Sequence, residues 1–236
     1  MIQLSVSDLH AHYGQSHVLQ GVTFDVPAGS ITTILGRNGS GRSTTLKAMM
    51  GIVAPTGGSA KFKGFELAGL SPTRISRAGI AYVPEERLVF PNLTVHENLL
   101  VGQQRPRQDA PTWTVADMYT QFPRLSERQN QLAGTLSGGE QQMLTLCRSL
   151  LGNPIVILID EPTEGLAPQI VAQIRGMLLE IKRRGVTILL VEQKLTMALQ
   201  ISDNVLVMGH GQIVYSGTTA EFRQDEHIRK RWLDVA

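Results

Sequence analysis

The sequence has a single cysteine, few aromatic residues and no excess of charge of either sign. Cys147 alone cannot form an internal disulfide framework or a cysteine-rich metal site, which favours a reducing compartment. The 22 basic and 20 acidic side chains nearly cancel, leaving a formal net charge of +2. Such a balance does not indicate a polyanionic partner, so we expect no binding to nucleic acid.

Long apolar runs are also missing. No stretch reaches about 18 uninterrupted apolar residues, and the first residues lack the basic and apolar regions of a signal peptide. We therefore expect a chain that itself neither enters nor spans a membrane. With 236 residues, 42% of them hydrophobic, it can bury one sizeable core, which excludes the disordered and fibrous classes.

Strand and helix signals alternate along the chain, which predicts an α/β fold. Two strand-like runs, 155–159 and 186–191, are apolar throughout, as expected for parallel strands covered on both faces. Between them, an apolar stripe at helical spacing predicts a crossover helix over 168–184, and Gly185 suits its left-handed end. The other predicted strands are 22–26, 31–35 and 80–83, with a hairpin at 205–215.

Residues 88–150 have a different, mostly helical pattern. Thr94 and Glu97 have the spacing of a capping box, so a helix is predicted to start there. We expect this segment to be a helical subdomain inserted into a core formed by residues 1–87 and 151–236.

The first segment with explicit chemistry follows the predicted strand 31–35 and opens a helix. Its glycines would let the backbone wrap closely with N–H groups facing inward, and the helix start would add its positive end, which together make a phosphate cradle. Ser43 is placed to bind Mg²⁺ through its hydroxyl. A glycine-rich turn that only joins strand to helix is the alternative. The predicted cradle consists of Gly36, Asn38, Gly39, Ser40, Gly41, Arg42, Ser43 and Thr44.

Arg42 separates this segment from a Walker A motif, which has lysine at the same position. Arginine keeps the positive charge and can bind phosphate oxygens through two N–H groups, but it is longer, planar and forked. The sequence therefore predicts retained charge with altered geometry. It leaves open a regulatory subunit that binds nucleotide through a degenerate loop.

Two carboxylates, Asp160 and Glu161, end the apolar run 155–159 in the pattern of a Walker B motif. In a parallel sheet both side chains emerge at the carboxyl edge, where Asp160 could hold Mg²⁺ through water and Glu161 could polarise the attacking water. Alone, this pair is an ordinary acidic strand end. Together with the loop 36–44 it favours an ATPase.

The segment Leu136-Ser137-Gly138-Gly139-Glu140 matches the signature sequence of ABC ATPases, and the whole chain resembles this family. Ser137 and Glu140 also have capping-box spacing, ahead of a helix whose positive end would face outward. The resemblance implies that these four residues from Ser137 to Glu140 contact the γ-phosphate held by a second subunit.

The resemblance also implies the fold and the cofactors. We expect a P-loop NTPase (RecA-like) core with an N-terminal antiparallel β portion and the helical insertion as a subdomain, all within one ABC ATPase domain spanning residues 1–236. ATP and Mg²⁺ are the implied cofactors, and ATP hydrolysis is the implied activity.

Further positions take their roles from the same resemblance. Tyr13 matches the aromatic residue that stacks on adenine. Glu85 stands where the family usually has the Q-loop glutamine, and near phosphates it would have to face Mg²⁺, water or a basic partner. Gln193 stands at the switch-histidine position, where its amide could contact a γ-phosphate without titrating. The implied catalytic residues are Glu161 and Gln193, and the implied metal ligands are Ser43, Glu85 and Asp160.

These departures converge on one branch of the family. The segments 83–85, 90–99, 164–168 and 191–193 look like those of LivF-type ATPase subunits of branched-chain amino acid importers, and members that serve urea or short amides look similar. The implied function is ATP-driven uptake of branched-chain amino acids or related small polar solutes. A soluble ABC protein of translation or repair is the other alternative, although neither a second ATPase domain nor a long coiled coil is present.

The resemblance finally implies partners, because one ATPase domain supplies only part of each composite site in this family. These are a second ABC ATPase subunit, in a hetero- or homodimer, and integral membrane permease subunits. A periplasmic or extracellular solute-binding protein would act through the permeases. The chain would then lie at the cytoplasmic face of the inner (cell) membrane, held peripherally by the permease subunits.

Overall fold

The computed structural model describes residues 1–233, which fold into two compact α/β units. Among the described residues, unit one contains 1–78 and 187–233, and unit two contains 79–186. The predicted division at residues 88 and 150 stays a prediction. No helix within residues 1–233 combines the length and the apolar character needed to cross a bilayer.

The elements alternate as the sequence predicted. The strands are β1 (Ile2–Tyr13), β2 (Ser16–Pro27), β3 (Ile31–Gly36), β4 (Gly57–Phe62), β5 (Phe65–Glu66), β6 (Ile80–Val83), β7 (Val156–Asp160), β8 (Thr187–Val191), β9 (Asn204–Gly209) and β10 (Gln212–Thr218). The helices are α1 (Arg42–Met49), α2 (Pro72–Ala78), α3 (Val95–Gly102), α4 (Val115–Gln121), α5 (Pro123–Glu127), α6 (Gly138–Leu150), α7 (Pro168–Arg183), α8 (Leu195–Ile201), α9 (Thr219–Gln224) and α10 (Glu226–Leu233), with a 3-10 turn at Ala133–Thr135.

Unit one contains an antiparallel sheet in the order β2-β1-β4-β5, which matches the antiparallel portion that we expected. It also contains parallel strands, since β3 pairs in parallel with β8 and with β9. Every residue of β3 and β8 is buried, and most of these residues are apolar, as expected for parallel strands covered on both faces. The predicted hairpin is confirmed as β9 and β10. β2 is longer than the predicted run, because its first half, from Ser16 to Gln20, also pairs with β1.

Unit two pairs β6 with β7 in parallel, and β7 is wholly buried. The crossover helix is confirmed as α7, whose apolar stripe at Ile174, Met177, Leu178 and Ile181 is buried. The helix start at Thr94 is confirmed as well. The hydroxyl of Thr94 accepts a hydrogen bond from the backbone N–H of Glu97, and the Glu97 carboxylate accepts one from the backbone N–H of Thr94.

Phe222 fills the core of unit one on one side of β3 and β9. Its side chain is fully buried, and the ring centroid of Tyr215 lies 5.3 Å from its own. The aliphatic residues of this cluster are Leu35, Ala198, Val205 and Val207.

Replacing Phe222 by alanine should therefore lower the free energy of unfolding by about 3–5 kcal/mol, through lost burial and the cavity that remains. Phe65→Ala is the matched control, because the Phe65 side chain is 76% exposed and its loss should cost less than about 0.5 kcal/mol. Urea denaturation of both variants measures the difference. Equal losses for the two variants would contradict this account of the core.

Candidate functional site

The loop between β3 and α1 has the tightly wrapped backbone that the glycine pattern predicts. Gly41 has φ +107°, and a Cβ on it would lie 2.8 Å from Met208 Cε. A Cβ on Gly36 would collide with the carbonyl oxygen of Met208. The backbone N–H and the hydroxyl of Thr45 both donate to the carbonyl of Gly41, at 2.9 and 3.0 Å. Only glycine fits at positions 36 and 41 without displacing these neighbours.

Ser40 carries the unsatisfied polar group of this loop. Its backbone N–H donates to the carbonyl of Arg37 at 3.1 Å, and its carbonyl accepts from the N–H of Gly211 at 3.0 Å. Its hydroxyl oxygen is buried and has no hydrogen-bond partner among residues 1–233. A buried hydroxyl without a partner costs about 1–3 kcal/mol, which a ligand oxygen would offset. The loop therefore fits a phosphate group.

Arg42 is buried at the first position of α1, with only 4% of its surface exposed. Its Nη1 donates to the carbonyl oxygen of Glu192 at 3.0 Å, and its Nη2 donates to Asn38 Oδ1 at 3.3 Å. The guanidinium thus lies between the end of β8 and the exposed edge of the loop. The positive charge that the Walker A lysine would carry is present at the loop, as predicted.

Besides accepting from Arg42, Glu192 fixes the turn after β8, which the sequence did not indicate. Its carboxylate is buried, and Oε1 accepts the backbone N–H groups of Gln193 and Lys194 at 2.9 and 3.1 Å. These bonds fix the turn after β8, on which the Gln193 side chain is exposed. Because the carbonyl of Glu192 also accepts from Arg42, the turn that presents Gln193 is linked to the phosphate loop.

Tyr13 lies at the end of β1, where it pairs with Ser16 across a two-residue turn, and half of it is exposed. The adjacent pair, His12 and His17, stacks with ring centroids 4.1 Å apart. His17 Nε2 lies 3.0 Å from His10 Nδ1. This histidine cluster supports the hairpin that carries Tyr13, and only the cross-strand pairing of positions 12 and 17 could have revealed it.

The hydroxyl of Tyr82 in unit two contacts one acidic side chain and is affected by the charges of two others. Tyr82 donates a hydrogen bond to Asp160 Oδ2 at 3.2 Å, and Asp160 is 1% exposed. Burial raises the pKa of Tyr82 most, and the negative charges of Asp160, Glu86 and Glu85 raise it further. Glu85 therefore adds to the same negative potential as Asp160. This arrangement suits a hard cation, which prefers oxygen ligands.

Glu161 follows β7 directly and is held in an uncommon backbone conformation. Its φ is +44°, in the left-handed region, and its side chain is 7% exposed. Such a conformation costs a non-glycine residue about 1–3 kcal/mol and is typical of functional sites. The carbonyl of Glu161 accepts the N–H of Glu164 at 3.3 Å, which starts the turn that leads to Gly165.

The signature segment forms the N-terminus of α6, and its predicted capping box is confirmed. The Ser137 backbone N–H and hydroxyl both donate to Glu140 Oε2, at 2.9 and 2.8 Å. Arg128 Nε lies 3.1 Å from Glu140 Oε1. Burial raises the pKa of Glu140, but these hydrogen bonds and the Arg128 charge outweigh burial, so the pKa is lowered. Ser137 itself is exposed at the positive end of the helix.

The predicted residues fall into two groups. Unit one brings together the phosphate loop and the turn that carries Gln193, and it also contains Tyr13 at the first hairpin. Unit two contains Glu85 and Asp160 beside Tyr82, Glu161 in the following turn, and the signature segment. Within residues 1–233 no group of three or more His, Cys, Asp or Glu side chains is arranged to hold a metal ion.

Replacing Glu140 by glutamine should remove one pH-dependent contribution to the free energy of unfolding. Because the folded protein lowers the pKa of Glu140 from its ordinary 4.5, the carboxylate stabilises the fold above that pH. This contribution is lost as the pH falls from 4.5 through the lowered value. We expect the free energy of unfolding, measured by urea denaturation, to fall less between about pH 7 and about pH 3 for Glu140→Gln than for wild type.

The control is Glu127→Gln, which changes a carboxylate in the same unit whose side chain is 62% exposed. Its stability should follow that of the wild type at both pH values. Identical pH dependence for Glu140→Gln and wild type would contradict the role given to the capping box.

Comparisons with known proteins agree with this geometry. The ABC transporter family model matches residues 19–164, more than half of the chain. The high-affinity branched-chain amino acid transport ATP-binding protein BraG of Pseudomonas aeruginosa is 41% identical, over 98% of this chain and 99% of that protein. The probable branched-chain amino acid transport ATP-binding protein LivF of Archaeoglobus fulgidus is 37% identical, over 96% and 97%.

Solved structures agree as well. The ADP conformation of an ATP-binding cassette of an ABC transporter superposes with a TM-score of 0.83 at 28% identity, over 98% of both chains. A nucleotide-free ATP-binding cassette superposes with a TM-score of 0.82 at 27% identity, over the full length of both chains. The expected P-loop NTPase fold is thereby confirmed. The chain belongs to the ABC transporter family and is an ATPase of that family.

Proposed function

We propose that this chain is the ATPase subunit of an importer for branched-chain amino acids or related small polar solutes. The observation that carries the nucleotide-binding part is the buried hydroxyl of Ser40, which has no partner among residues 1–233 and lies two positions before the buried Arg42. The substrate class rests on BraG and LivF, both of which match nearly the whole chain. The same matches disfavour a soluble protein of translation or repair and a purely regulatory subunit.

The triphosphate is proposed to bind in the loop 36–44, with adenine against Tyr13. The Ser40 hydroxyl and the loop N–H groups would donate hydrogen bonds to phosphate oxygens, as glycine-rich loops before helices do. Arg42 is already charged and already restrained by Asn38 and Glu192. Arg42 therefore provides positive potential, and ligand binding does not have to order its side chain first.

The oxygen ligands proposed for Mg²⁺ are Ser43, Asp160 and Glu85. Mg²⁺ usually takes one or two carboxylates and completes its shell with water and substrate phosphates. When bound, the ion would neutralise phosphate charge. The Tyr82 hydroxyl orients the Asp160 carboxylate through their 3.2 Å hydrogen bond.

Glu161 is proposed as the general base that accepts a proton from the attacking water, with Gln193 contacting the γ-phosphate through its amide. The left-handed backbone of Glu161 and the turn fixed by Glu192 hold these two side chains. The exposed end of α6, from Ser137 to Glu140, would contact the γ-phosphate bound by a second ABC ATPase subunit, in a hetero- or homodimer.

Exposed apolar side chains near α3 form the surface that we assign to the integral membrane permease subunits. They are Leu88, Phe90, Leu100 and Val101, each between 45% and 58% exposed. Arg148 holds this segment, because it donates to the carbonyl of Leu88 and lies 4.8 Å from the Phe90 ring centroid. The chain would thus lie at the cytoplasmic face of the inner membrane, and a periplasmic or extracellular solute-binding protein would act through the permeases.

Glu161→Gln in the assembled complex should keep MgATP binding and lower the ATP turnover rate by about 10²-fold or more, since a general base typically contributes that much. Steady-state phosphate release measures the rate, and Glu127→Gln, at an exposed carboxylate of α5, is the control. Turnover equal to that of wild type would remove Glu161 from the catalytic role.

A further inference from the structure

The side chain of Arg87 contacts two segments of unit two that lie far from it in sequence. Its Nη2 donates to the carbonyl oxygen of Glu164 at 2.9 Å. A Cβ built on Gly138 would collide with Arg87 Nη1, and a Cβ on Gly165 would lie 3.6 Å from Nη2. One guanidinium therefore touches both the start of α6 and the turn that follows Glu161.

These contacts account for a glycine at position 138, the third residue of the signature segment. The space that a side chain at Gly138 would need is taken by the Arg87 guanidinium. The next glycine has a different neighbour, since a Cβ on Gly139 would lie 3.1 Å from two carbon atoms of Ile170. The missing side chain at Gly138 thus leaves space for a cation, whereas the missing side chain at Gly139 leaves space for an apolar side chain.

The backbone of Arg87 is itself held in an uncommon conformation. Its φ is +49°, a left-handed value that costs a non-glycine residue about 1–3 kcal/mol. Arg87 is only two residues from Glu85 and directly precedes Leu88, the first apolar residue of the proposed permease surface. The residue therefore lies where a displacement of the permease-facing segment would reach the guanidinium.

The turn that Arg87 contacts leads directly to the proposed general base. The carbonyl of Glu164 accepts from Arg87, and the N–H of Glu164 donates to the carbonyl of Glu161 at 3.3 Å. A continuous set of contacts thus runs from Gly138 through Arg87 and Glu164 to Glu161.

We propose that Arg87 is a positioning residue for ATP hydrolysis. It holds the start of α6 and the turn after Glu161 in one geometry, so that a movement of the segment at residues 85–90 changes both together. The signature end, which would contact the partner's nucleotide, is thereby linked to the base that acts on the chain's own nucleotide. This inference rests on the proposed function of the signature segment and of Glu161.

The first test compares Arg87→Ala, Arg87→Lys and wild type in the assembled complex by steady-state ATP hydrolysis. Loss of a charged hydrogen bond that fixes geometry should lower kcat roughly tenfold or more, with KM for MgATP within about twofold of wild type. Lysine can still donate to Glu164 but cannot also cover Gly138, so its kcat should be intermediate. Arg105→Ala, at an exposed arginine of the same unit, is the control.

The second test measures whether Arg87 and Gly138 act through their contact. A methyl group on Gly138 collides with the guanidinium in wild type but not once Arg87 is truncated. Gly138→Ala should therefore lower kcat by a larger factor in wild type than in the Arg87→Ala background. Equal factors in the two backgrounds would overturn the proposal.

Other outcomes also decide the matter. Unchanged kcat for Arg87→Ala, with or without a lower melting temperature, would show a structural role alone, and a raised KM at unchanged kcat would show direct nucleotide contact. If Arg87→Ala does not fold, Arg87→Gln takes its place. Ser137→Ala distinguishes failure of the proposed function from failure of this inference. If Ser137→Ala leaves hydrolysis unchanged, the proposed role of the signature segment fails. If Ser137→Ala lowers hydrolysis and Arg87→Ala does not, only the positioning role of Arg87 is refuted.

Discussion

A buried guanidinium needs acceptors, and the contacts of Arg42 satisfy this requirement at the phosphate loop. The carbonyl of Glu192 and the amide oxygen of Asn38 supply them, at 3.0 and 3.3 Å. In the function that we propose, the same charge would attract phosphate, so that one side chain would both order the loop and favour an anion there. Because Glu192 also fixes the turn that presents Gln193, Arg42 is linked to that turn as well.

The positive charge at position 42 explains why a departure from the Walker A lysine is compatible with an ATPase. A lysine ammonium is a compact point charge, whereas the arginine fork spans two acceptors at once. In this chain the fork reaches Glu192, 150 positions away in sequence. The substitution thus keeps the electrostatics of the loop and adds a restraint on the turn after β8.

Much of the fold could be predicted because its signals are local. The apolar runs that became β7 and β8, the stripe of α7 and the capping boxes at Thr94 and Ser137 each depend on neighbours within a few residues. The contacts of Arg42 with Glu192, of Tyr82 with Asp160 and of Arg87 with Glu164 could not be predicted, because they join residues distant in sequence. In those cases the sequence identifies the residue, and only the fold shows which groups it contacts.

The most direct test of this account is equilibrium binding of MgATP to the purified full-length chain, for wild type, Arg42→Lys and Arg42→Ala. We expect wild type and Arg42→Lys to bind, and Arg42→Ala to bind at least about tenfold more weakly, since a charged hydrogen-bond donor at the phosphates is lost. Thermal unfolding of each variant checks that the loop remains folded. No binding by wild type with binding restored by lysine, or unaltered binding by Arg42→Ala, would contradict the central role given to Arg42.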